Sequence, residues 1–449
     1  MQDYRGSVFN APPCLLRENY FDVVTKTIDD ETFVARSRSK DGGKGFTRDR
    51  KITFVHLIVL LIQGISKSLQ RDLNSFYQKL QGSDFSIQYV TKSAFSQSRS
   101  KLKPEAFLEL NQVGLKCFYR DAPWRKFNGF RLLAIDGSTA ILPKHKTIEE
   151  EFGVTKFGPY ADSPRSVARL SILYDVLNLT TLDAQIDRYD ISERELAKRH
   201  LEFADPQKDL LLFDRGYPSL GLMFEMQCRG INYLIRMRDD WWKEVRQMVA
   251  KGETDKEVTF TRPEAEKELI KKYNATNKSI KCRLVCVELE NGETEVLCTS
   301  VLDKNLLPYE CFKELYHYRW NVEEGYKLLK SRLNLESFSG KTAIAIKQDF
   351  FAKIFTLTTA AVMTFPVDEQ LKADQLANKR KHPHQVNRTN ALAMVREITK
   401  TILIDGVIKP ALTALDKVLK ATTELIRRNR KFERKKIKKK PPSMNYKGL

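Results

Sequence analysis

The sequence is poor in cysteine and histidine, and its start is not typical of a secreted protein. Seven cysteines in 449 residues, an odd number, indicate reduced thiols rather than a disulfide framework. The apolar stretch at residues 54–65 is interrupted by His56 and Gln63 and is shorter than the ~20 residues of a membrane helix. Residues 1–4 lack the basic and then apolar start of a signal peptide. We therefore expect a cytoplasmic protein without a membrane partner.

Negative charge is also in the minority. There are 57 Asp and Glu residues against 77 Lys and Arg, which gives a formal charge of +20 and an isoelectric point of about 9.5. This balance suits a partner with dense negative charge, with nucleic acid first and an acidic membrane second. A chain of this length has room for two to four domains.

The N-terminal part, residues 1–125, has the apolar periodicity of helices, interrupted at Gly64 and Gly82. Another predicted helix begins near Thr91 and carries Lys92 and Arg99. Their side chains could reach phosphates or base edges if this helix enters a DNA groove. An ordinary solvated helix explains the same pattern.

The C-terminal part, residues 346–449, is again helical by its pattern. An apolar helix is predicted to stop at Pro366, and two further helices follow it. Residues 427–440 are mostly Lys and Arg, which predicts a disordered tail that can still bind phosphates.

The middle of the chain predicts a mixed α/β sheet. Two apolar runs end at aspartates that are soon followed by glycine: residues 130–135 lead to Asp136, and residues 209–213 lead to Asp214. Such runs are typical of strands covered on both faces. A hairpin and a helix capped by Ser192 are predicted between them. Residues 239–305 are predicted to be an inserted β-rich subdomain, with a hairpin turn at Asn291-Gly292.

One predicted helix carries a stripe of polar residues. Tyr316, Arg319, Glu323 and Lys330 follow at offsets of 0, 3, 7 and 14 residues, which at ~100° per residue places them within an arc of about 60°. Glu324 points about 100° away from Glu323. Within this stripe Glu323 could hold a divalent cation while Arg319, Lys330 and the nearby Lys327 bind phosphates. Surface salt bridges along one helix are the alternative.

The two strand-end aspartates strengthen the first interpretation. Ligand sites in open α/β sheets gather at strand ends. A single aspartate there is more often a turn former. Asp136 and Asp214 together with Glu323 make a plausible two-metal site for attack on a phosphodiester.

At these residues the sequence resembles the DDE transposases of bacterial insertion sequences that carry a Tyr-Arg-Glu-Lys signature. The spacing Tyr-x2-Arg-x3-Glu-x6-Lys is met in full by Tyr316, Arg319, Glu323 and Lys330. The contexts Ile135-Asp136-Gly137-Ser138 and Phe213-Asp214-Arg215-Gly216-Tyr217 are similar to the family's aspartate motifs. The family's base-stacking Trp in the last strand of the insertion has no counterpart near Glu295 and Val296, so routes with and without a DNA hairpin intermediate both stay open.

The resemblance implies a ribonuclease-H-like catalytic core at residues 126–345 with a β-rich insertion. It also implies a DNA-end-binding N-terminal domain and a C-terminal helical region that pairs two protomers as a homodimer. By the same resemblance Asp136, Asp214 and Glu323 are catalytic and bind Mg²⁺, with Mn²⁺ as a substitute, while Tyr316, Arg319 and Lys330 contact DNA. Arg215, Lys327, Lys92 and Arg99 complete the predicted DNA contacts.

The predicted function is that of a DNA transposase. It binds the terminal inverted repeats of a mobile element, cuts at the ends by metal-dependent hydrolysis and joins the 3′-hydroxyl ends to target DNA. The expected location is the cytoplasm, in association with the nucleoid. Two alternatives remain open at this point: a nuclease of the same fold that cuts without joining, and a transposase-derived repressor that only binds.

Overall fold

The computed structural model describes residues 13–39, 45–47, 50–64, 68–85, 87–156, 164–238, 240, 242–261, 267–274, 279–289, 292–378 and 382–426. The predicted basic tail at 427–440 and Asn291 of the predicted turn lie outside these residues. The chain divides into two compact units. The first comprises residues 1–124, 140–168 and 327–449, and the second comprises residues 125–139 and 169–326.

Helices dominate the two ends of the chain and alternate with strands between them. The α-helices of the described residues are α1 (Pro13–Asp29), α2 (Glu31–Arg36), α3 (Phe54–Gln63), α4 (Leu69–Gln81), α5 (Lys92–Arg99), α6 (Ala106–Asp121), α7 (Lys146–Phe152), α8 (Glu193–His200), α9 (Leu220–Cys228), α10 (Lys243–Lys251), α11 (Lys267–Tyr273), α12 (Phe312–His317), α13 (Asn321–Lys327), α14 (Ala343–Asn378), α15 (Arg388–Asp405) and α16 (Ile408–Ala421).

The strands form one large sheet and one small one. They are β1 (Arg131–Ile141), β2 (Val167–Asp175), β3 (Thr180–Arg188), β4 (Asp209–Phe213), β5 (Asn232–Met237), β6 (Asp255–Thr261), β7 (Ser279–Glu288), β8 (Thr294–Thr299), β9 (His384–Val386) and β10 (Thr423–Leu425). The large sheet has the order β3-β2-β1-β4-β5-β8-β7-β6, and β9 pairs with β10.

The large sheet is mixed. β4 is parallel to both β1 and β5. β2 runs antiparallel to β1, since Val176 N donates to Leu132 O and Leu142 N donates to Ser166 O. The order 3-2-1-4-5 with an antiparallel second strand is that of a ribonuclease-H-like fold, which confirms the predicted fold class. The apolar runs in β1 and β4 are buried as predicted, because central strands are covered on both faces.

The predicted β insertion continues this sheet. β8 pairs antiparallel with β5, β7 with β8, and β6 with β7. The predicted hairpin between β7 and β8 is confirmed, and Gly292 has the positive φ of 81° that the turn requires. The inserted strands are therefore an extension of the main sheet from its β5 edge.

One strand end differs from the prediction. β1 continues past Asp136 to Ile141, whereas its ladder with β4 ends at Ala134. The hydrogen bond from Leu142 N to Ser166 O shows that pairing with the β2 side continues. Asp136 thus lies at the end of the β1–β4 ladder but within β1, because the strand is still paired on its other side.

The first unit is built around α14. This helix packs against α3, α6 and α15. By length and composition it could cross a membrane, but 94% of its most apolar window is buried inside the structure. It is the core helix of this unit, which contains both the N-terminal and the C-terminal helical segments.

The prediction that this helix stops at Pro366 is wrong. α14 runs through Pro366 to Asn378, and its residues remain buried as far as Asp368. A proline inside a helix costs about 3 kcal/mol. Packing of α14 against α15 and β9 outweighs this cost, and Arg388 hydrogen-bonds to Thr364 and Asp368 on either side of the proline. The helix breaks predicted at Gly64 and Gly82 are confirmed, with φ of 66° and 60°.

Candidate active site

The register of the sheet brings the two aspartates side by side. The last β1–β4 pair is Ala134 with Leu212. Asp136 follows Ala134 by two residues, and Asp214 follows Leu212 by two residues. Neighbouring strands lie about 4.8 Å apart. Because the strands are parallel and in register, the two carboxylates leave the sheet on the same face.

The helix that carries Glu323 is fixed to this sheet by three contacts. At the start of α13 the Asn321 side chain donates to Val176 O at 2.9 Å. A Cβ on Gly325 would lie 3.1 Å from the Tyr174 ring, so glycine allows a close approach of α13 to β2. The Tyr326 hydroxyl donates to Asp136 O at 3.0 Å. Glu323 itself remains exposed to solvent over 44% of its side chain.

A buried arginine lies among the three acids. Arg319 is only 3% exposed, and its Nη2 donates to Glu323 Oε1 at 3.0 Å. Its charge also interacts with the carboxylates of Asp214 and Asp136. Its Nε is buried and has no hydrogen-bond partner among the described residues. One partly satisfied cation therefore connects the three acids that the sequence singled out.

Asp136 is held in an environment that disfavours its charge. Burial is the main cause that raises the pKa of its carboxyl to about 6; the charges of Glu323 and Glu193 also raise it, whereas the N–H of Gly137 and the charge of Arg319 lower it. A Cβ at Gly137 would lie 2.9 Å from the Glu193 carboxyl group, so a larger residue here would displace the Glu193 side chain. A cation near Asp136 would stabilise its ionised form.

Tyr316 was predicted to contact DNA, but the structure places it as a buried neighbour of Asp214. It is 3% exposed, and its hydroxyl lies 3.4 Å from both Phe213 O and Asp214 Oδ1. Burial raises the pKa of this hydroxyl well above its ordinary value. Tyr316 thus stays a neutral donor beside Asp214.

The predicted polar stripe is not one regular α-helix. A 3-10 turn spans Tyr318–Trp320 and a π-helical turn spans Leu328–Arg332, where Leu333 N donates to Leu328 O, five residues back. The step of 100° per residue therefore does not hold as far as Lys330. The apolar side of the helix is buried as predicted at Leu315, Val322 and Leu329.

Four of the remaining residues predicted to contact DNA are exposed to solvent, and one is buried. Arg215, Lys327, Lys330 and Lys92 are exposed. Arg99 is 4% exposed, so its assignment as a DNA contact is corrected to a structural role.

Arg99 is buried because its side chain is fully engaged within the first unit. It donates to Gln348, Ser339, Ala345 O and Asp349 at 2.7–3.2 Å. Gln348 in turn donates to the backbone oxygens of Arg99 and Leu102. This network ties the end of α5 to the start of α14.

The structure adds residues to the site that the sequence did not single out. Glu193 at the start of α8 pairs with Arg169 at 2.8 Å. Tyr217 is 2% exposed, and its hydroxyl is buried without a hydrogen-bond partner among the described residues. Burial is the largest cause that raises the pKa of this hydroxyl, and the charges of Asp136 and Glu193 raise it further. The only sequence feature that could have identified Tyr217 is its place in the second aspartate motif. No sequence motif marked Glu193 as a site residue.

The three carboxylates offer hard oxygen ligands, the donor type that Mg²⁺ and Mn²⁺ prefer. Among the described residues no three His, Cys, Asp or Glu side chains lie close enough together to form a metal-binding cluster. In this structure the positive charge between the carboxylates comes from Arg319. The chemistry of the donor set fits a divalent cation, and Arg319 supplies part of the positive charge that these carboxylates need.

A ribonuclease-H-like sheet with acids at the end of the β1–β4 ladder and on a later helix is the arrangement of DDE enzymes, which act on nucleic acids. The chain belongs to the Transposase DDE domain family, which matches residues 128–359. It is thus a DDE transposase of the insertion-sequence type, in a family that uses divalent metal ions.

Two known proteins are similar to this chain. The transposase InsG for insertion sequence element IS4 of Escherichia coli (strain K12) is 26% identical over 326 residues, which is 70% of this chain and 69% of the relative. A piggyBac transposase synaptic complex with hairpin DNA, determined by cryo-electron microscopy, aligns with 9% identity and a TM-score of 0.43 over 93% of this chain and 87% of that one.

Proposed function

We propose that this transposase binds the terminal inverted repeats of its element, cuts the DNA at the ends by metal-dependent hydrolysis and joins the 3′-hydroxyl ends to target DNA. The observation that carries the proposal is the convergence of Asp136, Asp214 and Glu323 on the buried Arg319. Double-stranded DNA is the partner, and two copies of the chain would act together as a homodimer at the paired ends.

Asp136, Asp214 and Glu323 are the proposed ligands of Mg²⁺, for which Mn²⁺ can substitute. Bound there, the cation supplies Lewis-acid activation and stabilises charge on the phosphodiester oxygens. Tyr316, at 3.4 Å from Asp214, orients this carboxylate. Tyr326 fixes the backbone of Asp136. The protein's own contribution is positioning and charge, since a phosphodiester needs no covalent help from a side chain.

Arg319 has two partners in this proposal. Among the described residues its guanidinium donates one hydrogen bond, to Glu323, and its Nε has no partner, which leaves donor capacity for a phosphate. With Glu323 as a ligand of the cation, Arg319 would supply this capacity to the DNA strand beside the cut. Arg215, Lys327 and Lys330 are exposed cations proposed to bind phosphates, and Lys92 is the proposed contact on α5.

An assay with DNA that contains the element's end, Mg²⁺ and a target plasmid tests the proposal. Joined products support the transposase, cut products alone indicate a nuclease, and binding without cutting indicates a repressor. The chain should be used whole. Deleting residues 1–105 would remove α3, which packs against the apolar α14 in the same unit, so the remainder would lose part of its core.

A further inference from the structure

A buried chain of a hydroxyl, an imidazole and a carboxylate lies behind Asp136. Ser171 on β2 and His200 at the end of α8 are fully buried, and Asp183 on β3 is 4% exposed. His200 Nδ1 lies 2.6 Å from Asp183 Oδ2, and His200 Nε2 lies 2.9 Å from Ser171 Oγ. Ser171 Oγ donates to Asp136 O at 3.5 Å. All four residues belong to the second unit.

These contacts hold each member of the chain in place. The Asp183 carboxylate contacts one ring nitrogen of His200, and the other ring nitrogen contacts the Ser171 hydroxyl beside Asp136 O. Burying polar side chains carries a cost that their hydrogen bonds only offset. A buried polar chain at this position therefore calls for a reason other than stability.

The reason lies in the peptide unit that follows Asp136. Its carbonyl oxygen accepts from Ser171 on the sheet and from Tyr326 on α13. The N–H of the same planar peptide, which belongs to Gly137, donates to Asp136 Oδ1 at 2.9 Å. Fixing the carbonyl therefore fixes the N–H, and the N–H orients the Asp136 carboxylate.

We propose that Ser171, His200 and Asp183 are positioning residues that, with Tyr326, lock the peptide between Asp136 and Gly137 and so set the orientation of the Asp136 carboxylate toward a divalent cation. This rests on the proposed function, in which Asp136 is a ligand of that cation. The arrangement also joins the two elements of the site, because Tyr326 follows Glu323 by three residues on the same helix.

Binding of Mn²⁺ to the full chain without DNA, measured by titration calorimetry, tests the proposal separately from catalysis. Ser171→Ala and His200→Gln should each weaken Mn²⁺ binding by about tenfold, the lower end of the effect of residues that orient metal ligands. DNA binding should be unchanged. Thr299→Val is the matched control, since Thr299 is equally buried and its hydroxyl donates to the strand carbonyl of Tyr233 at 2.7 Å, away from Asp136. This variant should bind Mn²⁺ like wild type.

Wild-type Mn²⁺ affinity in folded Ser171→Ala and His200→Gln overturns the positioning role. If either variant fails to fold, Tyr326→Phe removes the other donor to the same carbonyl, with Tyr309→Phe as its control, because Tyr309 donates to Cys286 O at 2.8 Å. Equal affinities in that pair again overturn the proposal. Asp136→Asn belongs in the same titration: if it does not weaken Mn²⁺ binding, the proposed metal site and the positioning role both fail.

Discussion

Two buried arginines, Arg99 in the first unit and Arg319 in the second, show how differently the same side chain can be used. Both are less than 5% exposed. Arg99 donates from all three of its nitrogens, to two side-chain oxygens of α14, a backbone oxygen and Ser339. Arg319 donates to Glu323 and leaves its Nε without a partner among the described residues. A fully satisfied arginine holds a fold together, whereas a partly satisfied one retains capacity for a ligand.

The aspartates beside the two arginines differ in the same way. Burial alone would raise the pKa of Asp349, but the charges of Arg99 and Lys353 lower it below its ordinary value. Burial raises the pKa of Asp136 to about 6, and the charge of Arg319 does not compensate for it. The positive charge around Asp349 is enough to stabilise its ionised carboxylate. The ionised form of Asp136 needs more positive charge than Arg319 supplies.

The largest expected effect is the loss of DNA cutting when one of the three acids around Arg319 is replaced. Asp136→Asn, Asp214→Asn and Glu323→Gln should each lower cutting by on the order of a thousandfold or more, because a catalytic metal supplies several kcal/mol of charge stabilisation. Binding to end-containing DNA should stay nearly intact in gel-shift titrations.

Glu324→Gln is the internal control for this series, since Glu324 is exposed and neighbours Glu323. It should cut like wild type. Wild-type cutting in Mg²⁺ by any one of the three acid variants would show that the residue concerned is not a ligand.

The next largest effects are expected from replacing Arg99 or Arg319. Arg99→Ala leaves Asp349 buried without its partner and should lower the free energy of unfolding by about 3–5 kcal/mol. Arg319→Ala leaves the half-exposed Glu323 open to solvent, so it should destabilise the protein less than Arg99→Ala, yet reduce single-turnover cutting by on the order of a hundredfold through misplaced DNA. Urea denaturation and cutting at saturating DNA measure the two outcomes. The comparison breaks if Arg319→Ala is the less stable variant or cuts normally.

These contrasts also show what the sequence could and could not predict. The apolar runs before Asp136 and Asp214 depend on local pattern and led to the correct sheet. The spacing around Glu323 is also a local pattern, and it led to the three acids whose charges interact with Arg319. The role of Arg99 depends on partners about 250 residues away along the chain. No local pattern reports such a contact, so a basic residue on a short helix was assigned to DNA.

Tyr316 and Pro366 failed for a related reason. The spacing of Tyr316 fitted a polar stripe, but its ring is buried and its hydroxyl lies beside Phe213 O and Asp214 at the end of β4. Pro366 carries a strong local signal for a helix end, which tertiary packing of α14 overrides. Ser171, Asp183 and His200 come together only through the packing of β2, β3 and α8, so no local pattern in the sequence connects them.

A smaller effect should appear in the pH dependence of stability. Because the pKa of Asp136 is raised to about 6 in the folded protein, its contribution to stability is present below about pH 4 and is lost as the pH rises to about 6. Asp136→Asn should therefore be more stable than wild type by roughly 2–3 kcal/mol at about pH 8 and equal to it at about pH 4. Asp349 has a lowered pKa, so Asp349→Asn should lose stability at about pH 8 and lose less as the pH falls. Denaturant titrations at the two pH values check both signs, and a shared sign for the two variants contradicts the contrast between the clusters.

The smallest expected effect concerns the other end of the helix that Arg99 anchors. Lys92 begins α5 and is exposed, whereas Arg99 ends it and is buried. If α5 is held by Arg99 so that its first turn can face DNA, Lys92→Ala should leave the free energy of unfolding within about 0.5 kcal/mol of wild type. It should weaken DNA binding, and it should reduce the slope of log affinity against log salt by roughly 0.9, the value for one phosphate contact. The loss should be equal for terminal-repeat DNA and random DNA, because a phosphate contact carries no sequence information. Fluorescence anisotropy over a salt series measures both quantities. A greater loss for terminal-repeat DNA would assign Lys92 to base recognition, and an unchanged slope would show that this turn of α5 does not contact DNA.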